Sequence, residues 1–222
     1  MILPSPSDAA AILDDRQTLR REMRTRRRAL TDTEREAAAT ALARVISRRG
    51  LLQPGRRVAV YLTHRSEMDL SRVIAMARQR KCKLYLPAII HAGKGLMEFV
   101  RFGRDQPLRR NHFGILEPAL QATARIAPMK LDLVLLPLVA VDACGWRLGS
   151  GAGFYDRRLS HLRHGRRWRR PKLIGIAYDF QRVPAIEQQW WDVPLDAVVT
   201  DRDFYPSRLH RSFEPGRAFE PA

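Results

Sequence analysis

Cysteine is almost missing from this chain: Cys82 and Cys144 are the only two in 222 residues. Neither belongs to a CxxC or Cys/His spacing, so a zinc site is not expected and the composition suits a reducing cytoplasm. The sequence leaves open a disulfide between them. Long apolar runs are also lacking. The opening segment, MILPSPSDAAAILDD, has neither a basic n-region nor a long hydrophobic stretch, and reads as neither a secretory signal nor a membrane anchor. Internal repeats and low-complexity tracts are absent. Lysine is scarce as well: Lys81, Lys83, Lys94, Lys130 and Lys172 are the only lysines among 40 basic residues. The arginine excess is as readily ascribed to codon composition as to selection for binding.

What is present is charge of one sign. Forty basic against 23 acidic residues give a net charge of +17. Such a field attracts polyanions (nucleotides, phosphorylated metabolites, RNA, anionic lipid heads) without choosing among them. The densest basic runs are residues 20–28 and 161–172, the latter HLRHGRRWRRPK. Trp168 within it is the kind of aromatic on which single-stranded nucleic acid stacks, although a solvated loop after a helix is the simpler reading. At 45% hydrophobic residues the chain can bury one sizeable core. The expected division is a flexible extension over 1–14, one domain over 15–206 and a loosely ordered tail over 207–222.

Periodicity predicts a basic helix over 15–30, with Leu19, Met23 and Leu30 on one stripe. A second helix starts at Thr31, where Thr31-Asp32-Thr33-Glu34 has the spacing of a capping box. Ala37, Ala38, Ala41, Leu42, Val45 and Ile46 form its apolar face, and Gly50 ends it. Beyond Pro54-Gly55 short apolar strands alternate with helices or loops: strands over 57–63, 81–86, 96–102, 131–136, 172–178 and 196–200, and a helix over 69–79. The 131–136 run, LDLVLL, is continuous, as in a central strand covered on both faces. The expected fold is a single α/β domain, an open mostly parallel sheet with helices on both faces, preceded by an N-terminal helical hairpin.

The most informative stretch is Arg147-Leu148-Gly149-Ser150-Gly151-Ala152-Gly153-Phe154-Tyr155-Asp156. Glycines at alternate positions let backbone N–H groups converge on an anion without a Cβ in the way. Residues 154–164 read as the first turns of a helix. Arg147 adds a fork of donors, and Asp156 can hold a divalent cation against the same phosphates. The spacing is neither a Walker loop nor GxGxxG, and a tight strand-to-helix turn uses the same glycines. Its place after the 131–136 strand, however, is where open sheets bind ligands.

Other candidates lie elsewhere. Arg16 and Arg20 stand i, i+4 on the first helix and present two guanidinium groups on one face. Glu67 follows a strand end, where a carboxylate can accept hydrogen bonds from a heterocycle. Asp192 or Asp196 can share a magnesium ion with Asp156 or simply cap a strand. Phe113 either stacks on a ring or fills the core.

Together LDLVLLP, Val141-Asp142, Gly145 and RLGSGAGFYD resemble the signature of the 5-formyltetrahydrofolate cyclo-ligase family, also called 5,10-methenyltetrahydrofolate synthetase. The basic first helix, YLTHRSE, NHFGILEP, LIGIAYDFQ and WDVPLDAVVT follow in that family's order, so the resemblance covers about 16–201. It implies an ATP- and magnesium-dependent enzyme of the cytoplasm, acting as a monomer on a reduced folate and converting 5-formyltetrahydrofolate to 5,10-methenyltetrahydrofolate. Nucleic acid is the less favoured partner and a membrane is not expected. By the same resemblance, Arg16, Arg20, Arg147, Leu148, Gly149, Ser150, Gly151, Ala152, Gly153, Phe154 and Tyr155 bind ATP, with Arg147 and Asp156 catalytic. Asp156 and Asp192 bind magnesium. Leu62, Glu67, Phe113 and the loop from Ser150 to Phe154 bind the folate. Three positions depart from the family's usual residues: Arg16 replaces a lysine, Ala152 a lysine or glycine, and Phe154 the first of two tyrosines. A protein of this fold that binds RNA or another polyanion without turnover is the alternative.

Overall fold

The computed structural model describes residues 6–118, 124–162 and 171–210. Most of the HLRHGRRWRRPK segment, the first five residues and 211–222 lie outside the described residues.

Helix α1 spans Pro6–Ala29. It starts ahead of Asp15, with a proline at its first position, where a missing N–H costs nothing. Helix α2, Asp32–Arg48, begins at the expected capping box: Glu34 N donates to Thr31 Oγ1 at 3.2 Å, and Thr31 N donates to Glu34 Oε2 at 2.7 Å. Its buried face is Ala39, Leu42, Val45 and Ile46. Ala39 replaces the expected Ala37, because a run of alanines carries no difference in size from which to read the facing side. The two helices serve different parts of the molecule. Helix α2 packs on helix α3 (Ser71–Gln79) and the sheet, whereas α1 reaches the loops at one end of it. Helix α3 starts at Ser71 rather than 69, since Asp69 stays outside and its carboxylate accepts from Ser71 N and Oγ.

The sheet has eight strands: β1 (Arg57–Ala59), β2 (Lys83–His91), β3 (Leu96–Arg101), β6 (Arg125–Ile126), β7 (Leu133–Pro137), β10 (Lys172–Ile176), β11 (Ala197–Val199) and β12 (Phe204–Pro206), in the spatial order β12-β11-β10-β7-β1-β2-β3-β6. The five inner strands β11, β10, β7, β1 and β2 are parallel, and both margins are antiparallel. Two small ribbons stand apart: β4 (Leu108–Arg110) with β5 (Leu116–Pro118), and β8 (Ala140–Val141) with β9 (Arg147–Leu148). Helix α4 is short, Phe154–Arg158, and a 3-10 turn at Ser160–Leu162 succeeds it in place of the longer helix expected over 154–164.

Burial on both faces fixes the layers. Leu42, Ile46, Val73 and Ala77 pack on one face of the sheet with Val58, Leu84 and Leu135; Leu159, Leu162, Val193 and Leu195 cover the other with Val134, Leu136 and Leu173. All four residues Leu133–Leu136 are buried, as a central strand requires. Strand β1 is shorter than expected because the chain leaves the ladder after Ala59 toward a cleft at the end of the sheet. Strand β2 is longer because it pairs with β1 only as far as Tyr85 and then continues against β3 as far as His91. Pro87 is tolerated because that edge of β2 has already lost its neighbour.

Gly145 turns the β8–β9 ribbon at φ 88°, and a Cβ there would come within 2.6 Å of Leu195 O and 2.7 Å of Ser207 Oγ. Gly145→Ala is therefore expected to destabilise the fold by about 2 kcal/mol or more, because left-handed strain and a backbone clash add. Urea unfolding of the variant checks this.

Candidate active site

Strand β1 leads to β2 on one side and, later in the chain, to β7 on the other. The order therefore reverses between β1 and β7, and the gap beyond their carboxyl ends is the topological switch point where open sheets hold ligands. A cleft of about 550 Å³ lies there. Tyr61, Leu62 and the turn 64–67 come from the end of β1, Pro137, Leu138 and Val139 from the end of β7, and Leu86, Pro87 and Ile89 from the free edge of β2.

The glycine loop forms one wall. Arg147, Gly149, Ser150, Gly153, Phe154, Tyr155 and Asp156 line the cleft. Gly151 and Gly153 take φ values of 113° and 66°, so at these two positions the loop's path demands glycine. Arg157 clamps the loop from below, donating to Ala152 O and, at 3.2 Å, to Gly95 O. Leu148 is buried in β9 among Met23, Val139 and Ile186, so its side chain is core and only its backbone can serve a ligand. Gly151 and Ala152 are exposed on the outer side of the loop.

Helix α1 lies over this wall, and its arginines at i, i+4, i+8 and i+11 reach the segment before β11, the loop and the end of β7 in turn. Arg16 Nη1 donates to Glu187 O at 2.7 Å and to Asp192 Oδ2 at 3.1 Å. Arg20 Nε donates to Gly149 O at 3.0 Å, Arg24 Nη2 to Ser150 O at 2.9 Å and Arg27 Nη1 to Leu138 O at 3.4 Å. Arg24 and Arg27 were not singled out from the sequence, yet they continue the Arg16/Arg20 stripe at helical spacing, a signal hidden by the arginines on every other face.

Asp156 and Asp192 come to one neighbourhood through the segment before β11. Asp156 Oδ1 accepts from Arg147 Nη2 at 2.6 Å and from Val193 N at 3.3 Å, while Asp192 Oδ2 accepts from Arg16 and, at 2.9 Å, from Gln189 N. Arg147 also donates to Val193 O. One oxygen of each carboxylate, Asp156 Oδ2 and Asp192 Oδ1, has no hydrogen bond among the described residues. Two carboxylates with a spare oxygen each suit magnesium, which completes its shell with phosphate oxygens and water; no group of three or more possible ligating side chains occurs among the described residues. Asp196, the other reading for the second acid, is committed to the sheet: its Oδ2 accepts from Leu173 N at 2.7 Å, and it lies beside Lys172.

The opposite wall carries Glu67. His64 N donates to its Oε2 at 3.2 Å, and burial pushes its carboxyl above the usual range, only partly offset by that bond and by Arg27. Burial likewise holds the Tyr61 and Tyr155 phenols well above their ordinary values, so both stay neutral. His64 is shifted down, by burial first and then by Arg65 and Arg110. Glu117 is a further acid of the cleft, overlooked within NHFGILEP: its Oε2 accepts from Ile89 N at 2.9 Å and from Asn111 Nδ2 at 3.0 Å, capping the free edge of β2. Phe113 is 41% exposed and meets Phe154 edge to face at 5.8 Å, so it stands at the rim rather than in the core.

These features define an α/β protein with a glycine-rich loop and a mostly apolar cleft at the switch point of its sheet. Residues 12–201 match the 5-formyltetrahydrofolate cyclo-ligase family. The chain is 34% identical over 179 residues to the 5-formyltetrahydrofolate cyclo-ligase of Escherichia coli (strain K12), covering 80% of this chain and 96% of that protein. It is 32% identical over 186 residues to the enzyme of the same name from Haemophilus influenzae, covering 83% and 96%. The solved structure of Aquifex aeolicus 5,10-methenyltetrahydrofolate synthetase superposes with a TM-score of 0.74 at 27% identity, over 92% of this chain and 99% of that one. The chain belongs to the 5-formyltetrahydrofolate cyclo-ligase family.

Proposed function

We propose that this protein converts 5-formyltetrahydrofolate to 5,10-methenyltetrahydrofolate, consuming ATP with magnesium and releasing ADP and phosphate. The observation that supports it most is the cleft itself, which sets a glycine loop and the Arg147–Asp156 pair against a half-buried carboxylate, Glu67, within one cavity.

The chemical problem is that a formamide oxygen is a poor leaving group. Transfer of the γ-phosphoryl of ATP to that oxygen breaks the phosphoanhydride bond and forms an imino-phosphate. The second folate nitrogen then attacks the same carbon, loses its proton, and the C–O bond breaks as phosphate departs with the formyl oxygen. Catalysis is positioning and charge neutralisation. In this reading the N–H groups of the loop 149–153 cradle the phosphates. Arg20 and Arg24, which bond Gly149 O and Ser150 O without a ligand, turn to phosphate oxygens with one. Arg147 is held by Asp156 and Val193 O and directs a donor at the transferred group. Glu67 orients the pterin ring, and Phe113 and Phe154 close over it. Magnesium, when bound by Asp156 and Asp192, would neutralise charge on the phosphates.

The protein incubated with 5-formyltetrahydrofolate, magnesium and ATP is expected to develop the near-ultraviolet absorbance of the methenyl product. Folded protein giving no ATP-dependent signal overturns the reading.

A further inference from the structure

Arg27 lines the cleft and is 7% exposed. A buried guanidinium needs its five donors used, yet Arg27 is poorly supplied: its Nε has no hydrogen-bond partner, and its Nη1 reaches Leu138 O only at 3.4 Å. Its charge interacts with that of Glu67. The two make no ion pair among the described residues, although a buried guanidinium and a carboxylate in one cavity gain most from direct contact. Each is held off by its own backbone tether, Glu67 by His64 N and Arg27 by Leu138 O. The cleft thus presents an acceptor from one wall and an unsatisfied donor from the other, with space between them.

A ligand fills such a gap when it offers a donor and an acceptor on adjacent atoms of one rigid edge. The pyrimidinone edge of a 2-amino-4-oxopteridine does so: its amino and ring N–H groups donate, and the carbonyl next to them accepts. We propose that Arg27 is a binding and specificity residue for the substrate ring, donating to the 4-oxo oxygen while Glu67 accepts from the neighbouring N–H groups. The assignment rests on the folate reading of the cleft and adds to it the group that reads the ring carbonyl. Leaving an unmatched guanidinium buried costs more than the bond contributes, so Arg27 also discriminates against rings with a donor at that position.

The test is calorimetric binding, without ATP, of 5-formyltetrahydrofolate and of its 4-amino-4-deoxy analogue to the wild-type protein and to Arg27→Met. The variant is expected to bind the 4-oxo compound about tenfold or more weakly, as for loss of a hydrogen bond from a charged donor. Binding of the 4-amino analogue is expected to stay the same or tighten. Equal weakening of both ligands, or none of either, overturns the inference and leaves the folate reading standing. Failure of the wild type to bind either ligand overturns both. Should Arg27→Met not fold, Arg27→Lys serves in the same comparison, with a several-fold loss confined to the 4-oxo compound expected and an equal effect on both ligands overturning the assignment.

Discussion

Asp156→Asn is expected to lower kcat by about a hundredfold to a thousandfold while moving the thermal midpoint little. The asparagine carbonyl can still accept from Arg147 Nη2 and Val193 N, so the fold around it persists, but the negative charge that would face a metal ion is gone. Asp156→Ala separates the two roles. The Arg147 side chain is 4% exposed, and among the described residues its pair with Asp156 is one of its two polar contacts, the other being Val193 O. Deleting the carboxylate leaves a buried cation under-satisfied, and the alanine variant should lose about 2 kcal/mol of stability in addition to turnover. Initial rates at saturating substrates, with a melting curve for each variant, check this. An asparagine variant with wild-type kcat would remove Asp156 from the chemistry.

Glu67→Gln is expected to weaken binding of 5-formyltetrahydrofolate by about tenfold to a hundredfold, the range for hydrogen bonds to a charged acceptor, with nucleotide binding unchanged. Stability should move the other way. Burial, the largest influence on Glu67, raises its carboxyl above the ordinary value of 4.5. The folded protein therefore holds that proton more tightly than the unfolded chain, and stability falls as the pH rises from about 4.5 through the folded-state value. The amide has no charge to desolvate. The variant should match or exceed the wild type in thermal stability at pH 7, and the difference should shrink as the pH is lowered from the folded-state value toward 4.5. A variant less stable at pH 7 yet closer to the wild type in acid would mean that the Arg27 charge, not burial, dominates at Glu67.

Much of the fold was legible where local pattern and tertiary role coincide. The Thr31 capping box and the continuous apolar run of β7 are each written in consecutive residues, and each is present. The errors fall where neighbours decide. Strand β1 is only three residues long because its chain turns into the cleft, and β2 runs through Pro87 because the strand beside it has stopped. The helix after the glycine loop is five residues long, since Ser160–Leu162 tightens into a 3-10 turn.

The site divides the same way. The glycine loop, Arg147, Asp156 and Glu67 stood out because glycine spacing and charged residues at strand ends are local signals. That Leu148 is core, that Asp196 rather than Asp192 is held by the sheet, and that Glu117 caps a bare strand edge could not be read, because each depends on a partner distant in sequence. By itself the sequence determined the order of elements, the excess of positive charge and the loop that bends at its glycines. Only the tertiary structure decided which of many arginines face the cleft. A helix clothed in arginine looks alike from every side until the sheet is folded beneath it, and packing then puts Arg24, Arg27 and Arg28 along the cleft and leaves Arg21 and Arg26 off it.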